Sequence, residues 1–153
     1  MVRTAFACSS ISLYRRPSPD CNVFDRTAET AGGGPSSGAY SSNPMYELQV
    51  PASPSPAQLR FRLQLAEPSS SSSVALNLTV FNPPTGAGAL GRHVATSGPY
   101  SDAISGVVIE KLALQPGKYV VVPSTYRAGV QAAFKLIVYS TVSGVQLVPM
   151  QRR

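Results

Sequence analysis

Leu59-Arg60-Phe61-Arg62-Leu63-Gln64-Leu65 alternates apolar and polar residues without a break. Successive side chains of an extended chain point to opposite faces, so this stretch has one apolar and one wet face. It predicts a half-buried strand, which needs a second layer to cover its apolar side. The same period recurs to either side. Tyr46, Leu48 and Val50 alternate with Glu47 and Gln49, and Leu76, Leu78 and Val80 alternate with Asn77 and Thr79. Phe134, Leu136 and Val138 alternate with Lys135, Ile137 and Tyr139. That last strand is partly apolar on both faces, as a central strand is.

Shorter strands are read at 94–96, 107–109, 119–122 and 145–148. Between them lie breakers: prolines at 51 and 56, serines at 69–73, Asn82-Pro83-Pro84, Ser97-Gly98-Pro99 and Leu114-Gln115-Pro116-Gly117. Proline followed by glycine favours a tight turn, so Gly117 is expected in a turn position. Pro51 and Pro123 are expected at strand ends, because proline cannot donate to a ladder. The one stretch that tempts a helix assignment, 100–108, is short and contains Gly106. The fold class that follows is all-β, an antiparallel β-sandwich of about eight strands. Phe134, Leu136, Val138 and Leu63 are expected in its core.

The chain has 153 residues, 43% hydrophobic and only 13% charged, with 12 glycines and 14 prolines. This is one turn-rich domain, too short for a large multidomain enzyme and without the period of a coiled coil or collagen. A poorly ordered extension is expected over 1–28, the domain over 29–148 and a basic tail over 149–153. Gly32-Gly33-Gly34-Pro35-Ser36-Ser37-Gly38 is the breaker near the domain's start. Ser9, Ser10 and Ser12 interrupt the apolar stretch after Arg3, a poor secretory signal. No run approaches the length of a membrane-spanning helix.

The formal net charge is +6. The basic residues are scattered, so no nucleic-acid partner is expected. A weak contact with an anionic membrane is carried as a rival reading, with Arg60, Arg62, Lys118 and Arg127 forming the surface. Catalytic patterns are faint. His93 is the single histidine, read as a solvated loop residue, and its spacing from Cys8 and Cys21 matches no nucleophile–base motif. Two cysteines and one histidine do not make a zinc site, and seven scattered carboxylates do not make a calcium site. Asp102 and Glu110 are read as solvent-facing rather than as an acid–base pair. Asn77-Leu78-Thr79 spells a glycosylation acceptor but falls inside a strand, and is taken as a chance match. No cofactor is expected.

One block carries a family resemblance. Pro116-Gly117-Lys118-Tyr119-Val120-Val121-Val122-Pro123-Ser124-Thr125-Tyr126 resembles the C2-like β-sandwich, or domain III, of calpain-type cysteine proteases. Leu112 to Leu114 before it, and Gly129 with Phe134-Lys135-Leu136-Ile137-Val138-Tyr139-Ser140 after it, resemble the same family. Upstream, Thr30-Ala31-Gly32-Gly33 and Asn43-Pro44-Met45-Tyr46 are similar to the family's lead-in segment. Ser97-Gly98-Pro99-Tyr100 and Ser105-Gly106-Val107 look closest to the fungal PalB/Rim13 type and to its animal counterpart, calpain-7.

The resemblance implies a C2-like sandwich over about residues 29–141 and structural roles for Gly32, Gly33, Asn43, Pro44, Tyr46, Gly117, Tyr119, Pro123 and Ser124. Catalysis in such proteases resides in a papain-like domain with a Cys-His-Asn triad, whose motifs this chain lacks. The implied function is therefore a non-catalytic regulatory or interaction module, a fragment or a detached paralogue. By inheritance it would carry the label of a calcium-dependent cysteine endopeptidase. The acidic loop that many of these domains carry is missing, which argues against calcium-driven phospholipid binding. The implied partners are proteins: a calpain-like protease core or ESCRT-associated proteins. The implied setting is the cytoplasm, at the periphery of endosomal membranes.

Overall fold

In the computed structural model, the described residues are 7–12, 32–65, 73–88, 90–130 and 132–150, the first six as backbone only. They form nine strands: β1 (Ala7–Ser12), β2 (Tyr46–Val50), β3 (Ala57–Leu65), β4 (Leu76–Phe81), β5 (His93–Thr96), β6 (Val107–Leu114), β7 (Gly117–Thr125), β8 (Phe134–Ser140) and β9 (Gln146–Pro149). The only helical elements among the described residues are two single 3₁₀ turns, Pro35–Ser37 and Tyr40–Ser42. All pairings are antiparallel. β8, β3 and β6 form one sheet, with β1 paired along the free side of β8, and the other sheet runs β5-β4-β7-β2-β9.

The expected period-two faces meet between these sheets. Leu59, Phe61 and Leu63 of β3 and Phe134, Leu136 and Val138 of β8 are buried against Leu48 of β2, Leu78 and Val80 of β4 and Val121 of β7. The rings of Tyr46 and Phe134 join the two layers edge to face, 6.5 Å apart. This is the all-β sandwich that alternation predicts.

Three local expectations change. The first concerns Pro123, which does not end a strand: it lies inside β7, opposite Leu78 of β4. That pair exchanges no hydrogen bonds, because Leu78 directs both backbone groups to Ser97 on the other side. In a strand, a residue's N–H and C=O point the same way and alternate from residue to residue. The missing donor of Pro123 therefore faces the β2 side, just past the first residue of β2, Tyr46, which pairs with Val121. No ladder bond is lost.

The second concerns β1, which falls within the stretch read as an extension and occupies register positions along β8, from Ala7 opposite Ser140 to Ser12 opposite Lys135. Its serines hide any alternation of the kind that marks β3. The third concerns His93, which opens β5 rather than sitting in a loop. It remains exposed and meets Phe81 edge to face at 6.0 Å. Gly117 closes its turn and starts β7 with φ of 150°, a conformation that favours glycine. Cys21, the cationic pair Arg152 and Arg153, and the segment 22–31 lie outside the described residues, as does the side chain of Cys8.

Candidate interaction surface

The two outer faces of the sandwich differ in kind. On the five-stranded sheet the outward residues of the centre are covered. Val120, Val122 and Ser124 of β7 and Asn77 and Thr79 of β4 are all buried, although they point away from the core. The cover includes the lead-in segment 32–43, folded into its two 3₁₀ turns. Tyr40 is pinned there by hydrogen bonds with Thr79 and Ser124 and by an edge contact with Phe81 at 6.3 Å. Ser124 also pairs with the Tyr100 hydroxyl at 2.7 Å. Burial pushes the phenols of Tyr40 and Tyr100 above their ordinary range, the hydrogen bonds opposing it only in part.

This arrangement gives the lead-in residues a physical reason. A side chain at Gly32 would collide with the Ala39 carbonyl, and one at Gly33 (φ 73°) would lie 2.5 Å from the Ala128 nitrogen. Asn43 is buried, and its Nδ2 donates to the carbonyls of Gly33 at 2.8 Å and Tyr40 at 2.9 Å. It closes the segment into a ring, after which Pro44 leads into Tyr46 and β2. Asn77, the first residue of the glycosylation-like triplet and the second of β4, is only 5% exposed. Its Nδ2 donates to the Gly98 carbonyl at 2.6 Å, so the amide is engaged.

Among the described residues no segment covers the outer face of the four-stranded sheet, and that face is basic. Arg60 and Arg62 of β3 stand on it, opposite Tyr139 and Ile137 of β8 respectively, with Lys135 opposite Gln64. Arg60 Nε pairs with Glu110 at 3.1 Å. Arg62 donates through Nε and Nη2 to the Ser105 carbonyl, both at 3.2 Å, and ties the loop before β6 to β3. The β3–β6 register slips between Leu59 and Phe61, so Glu110 and Lys111 both stand across from Arg60. Such a bulge opens the pleat and re-aims side chains.

At this bulge lies a cavity of about 500 Å³, lined by Gln58, Arg60, Glu110, Lys111, Tyr139 and Thr141 among others. The backbone of Gln58 is locked to Thr141: its N–H donates to Oγ1 at 3.0 Å, and its carbonyl accepts from the Thr141 N–H at 3.1 Å. Its side-chain Oε1 is buried and has no hydrogen-bond partner among the described residues.

Of the four cations expected on one anionic-contact surface, only Arg60 and Arg62 share a face. Lys118 pairs with Glu47 at 2.9 Å on the outer side of the other sheet, across from Gln49. Arg127 lies in the β7–β8 loop, where its carbonyl accepts from Thr125. Asp102 accepts from Ser73 and does not meet Glu110. The groove residues Gln58, Lys111, Tyr139 and Thr141 carry no mark in the sequence, because only the strand register gathers them. Among the described residues no group of three His, Cys, Asp or Glu side chains converges as a metal site, and no helix is long and apolar enough to cross a membrane. Tyr119 secures the β6–β7 turn by donating to the Gln115 carbonyl at 2.9 Å.

A family model described as the RIM13 third calpain-like domain matches residues 22–152. Calpain-like proteases palB/RIM13 from two strains of Cryptococcus neoformans var. neoformans serotype D are each 46% identical over 100 residues. The matched stretch is 65% of this chain and 11% of either relative. The chain thus spans about a tenth of the length of the curated relatives it matches. The match over 22–152 runs from before the glycine-pinned lead-in to the end of β9 and takes in both sheets except β1, so the chain belongs to the family of RIM13 third calpain-like domains.

Proposed function

We propose that this chain is a non-catalytic regulatory or interaction module of a calpain-like cysteine protease. The observation that carries the reading is the match of residues 22–152 to the third calpain-like domain, one unit within proteases about nine times as long as the matched stretch. Cleavage in the parent protease belongs, on this reading, to a separate papain-like unit. The open, basic outer face of the four-stranded sheet supplies the contact surface, while the lead-in segment buries the centre of the opposite one. The partners are a calpain-like protease core or ESCRT-associated proteins, met in the cytoplasm at endosomal membranes.

The test has two arms. The purified chain is given a fluorogenic peptide and an active-site cysteine probe, and the expectation is no turnover. Turnover abolished by Cys8→Ser or Cys21→Ser overturns the reading in favour of an enzyme. The chain is also titrated against the Cryptococcus relative lacking its matched 100 residues. Saturable binding is expected, and no binding removes the protease core as the partner.

A further inference from the structure

We propose that the groove beside the β3–β6 bulge is a docking site for an extended acidic peptide segment of a protein partner. The inference deepens the interaction-module reading and rests on it. Three observations converge on the same few residues.

The first is shape. A concave space of about 500 Å³ sits where the bulge parts Leu59 from Phe61, within the size range of small binding pockets. Tyr139 gives it an aromatic wall, while Leu59 beside it belongs to the core.

Charge is the second. Among the described residues, the outer face of this sheet carries Arg60, Arg62, Lys111 and Lys135 against the single carboxylate of Glu110. Glu110 already models the interaction: its carboxylate takes the Arg60 guanidinium at 3.1 Å while its side chain is 71% exposed. A carboxylate on a partner can replace it or add to it at Lys111. An exposed pair of this sort exchanges partners at little cost.

The third observation is the unmet acceptor. Gln58 lines the groove, and its Oε1 is buried without a hydrogen-bond partner among the described residues. Buried acceptors of this kind are uncommon because an unmade hydrogen bond is costly. An extended peptide offers backbone N–H donors at regular spacing, and one of them satisfies Oε1 after a small opening of the groove. Lipid phosphate offers only acceptor oxygens, and the ammonium of a serine headgroup, which can donate to Oε1, would bring a positive charge beside Arg60 and Lys111. The donor requirement and the cations together favour an acidic peptide over an anionic bilayer.

The probe is a short fluorescein-labelled peptide alternating Glu and Phe, titrated into the full chain at low salt, with a Lys–Phe peptide as control. Saturable binding of the acidic peptide alone is expected, with amide NMR shifts centred on Gln58, Lys111 and Thr141. Lys111→Glu should weaken it on the order of tenfold. Gln58→Leu should weaken it several-fold while keeping or raising the melting temperature, since it removes the unpaired acceptor. Lys111 is exposed, so that variant folds whatever the outcome at Gln58. Equal binding of both peptides, or shifts away from the groove, overturns the site. Phosphatidylserine vesicles form the last arm. Lys111-dependent vesicle binding without peptide binding overturns the proposal in favour of a membrane. If the acidic peptide fails while the truncated relative still binds, the docking site falls and the module reading stands.

Discussion

Pro123 lies directly across from Leu78, and Leu78 turns both of its backbone groups away from it, to Ser97. The pairing shows how a proline enters the middle of a sheet. The neighbouring strand β2 has already ended on the side its nitrogen faces, and β4 does not need the donor. Pro123 is itself fully buried, so Pro123→Ala should cost roughly 1–3 kcal/mol through lost burial and the cavity left behind, and nothing through a ladder bond. Ser97→Ala should cost about 1–3 kcal/mol by a different route, because it strands the N–H of fully buried Leu78. Urea denaturation measures both: an unchanged midpoint for Pro123→Ala would place its ring outside the core, and an unchanged midpoint for Ser97→Ala would reject the hydrogen bond to Leu78.

The core allows a simpler test. Leu63 is fully buried between the sheets. Leu63→Ala removes its transfer free energy and leaves a cavity, and should destabilise the fold by roughly 2–4 kcal/mol. A melting temperature equal to the parent's would remove Leu63 from the core.

Gly33 and Gly98 both have positive φ, at 73° and 93°, but only Gly33 is crowded. Alanine at Gly98 meets open space and bears backbone strain alone, about 1–3 kcal/mol. Alanine at Gly33 bears the same strain and also drives into the Ala128 backbone. Gly33→Ala should be the more destabilising variant, with faster amide exchange over residues 34–43. Equal stability of the two would mean that the lead-in segment does not grip the β7–β8 loop.

The sandwich was legible because β2, β3 and β4 alternate apolar with polar residues, and burial keeps that period in β2, β3 and β8, while in β4 the polar residues Asn77 and Thr79 are buried as well. Leu59, Phe61 and Leu63 lie under 3% exposure while Arg60 between them stays open. The lead-in motif was legible as a resemblance, and its cause emerged only in three dimensions, where Asn43 reaches ten residues back to the Gly33 carbonyl. The groove was not legible. Period two tells which face a side chain takes but not which strands are neighbours, and the slip that sets Glu110 and Lys111 across from Arg60 is a property of pairing. The cationic set failed to assemble for the same reason: Lys118 belongs to the other sheet.

Glu47 sets the acid limb. Hydrogen bonds from Lys118 and then Gln49, with a further charge attraction to Lys118, hold its carboxyl below the usual glutamate range. A depressed value contributes stability that is present above the unfolded value of about 4.3 and lost as pH falls through the folded one. Glu47→Gln should flatten the stability profile below about pH 5, by under about 1 kcal/mol for so open a pair. High salt should shrink the difference between the two proteins. Identical acid limbs in low salt would dismiss the pair.

Tyr40 and Tyr100 set the alkaline limb with the opposite sign. Burial raises both phenols, so their neutral forms favour the folded state. That contribution is intact below the unfolded value of about 10 and disappears as pH rises through the folded values, because the unfolded chain then releases its protons first. Tyr40→Phe and Tyr100→Phe should each lower stability at neutral pH by about 1 kcal/mol through lost hydrogen bonds. Each should also lose less than the parent between about pH 9 and 11, since phenylalanine has nothing to ionise. Phenolate absorbance followed alongside urea denaturation reads both quantities at once. Steeper alkaline loss in the phenylalanine variants would show that these hydroxyls are not buried beneath the lead-in segment.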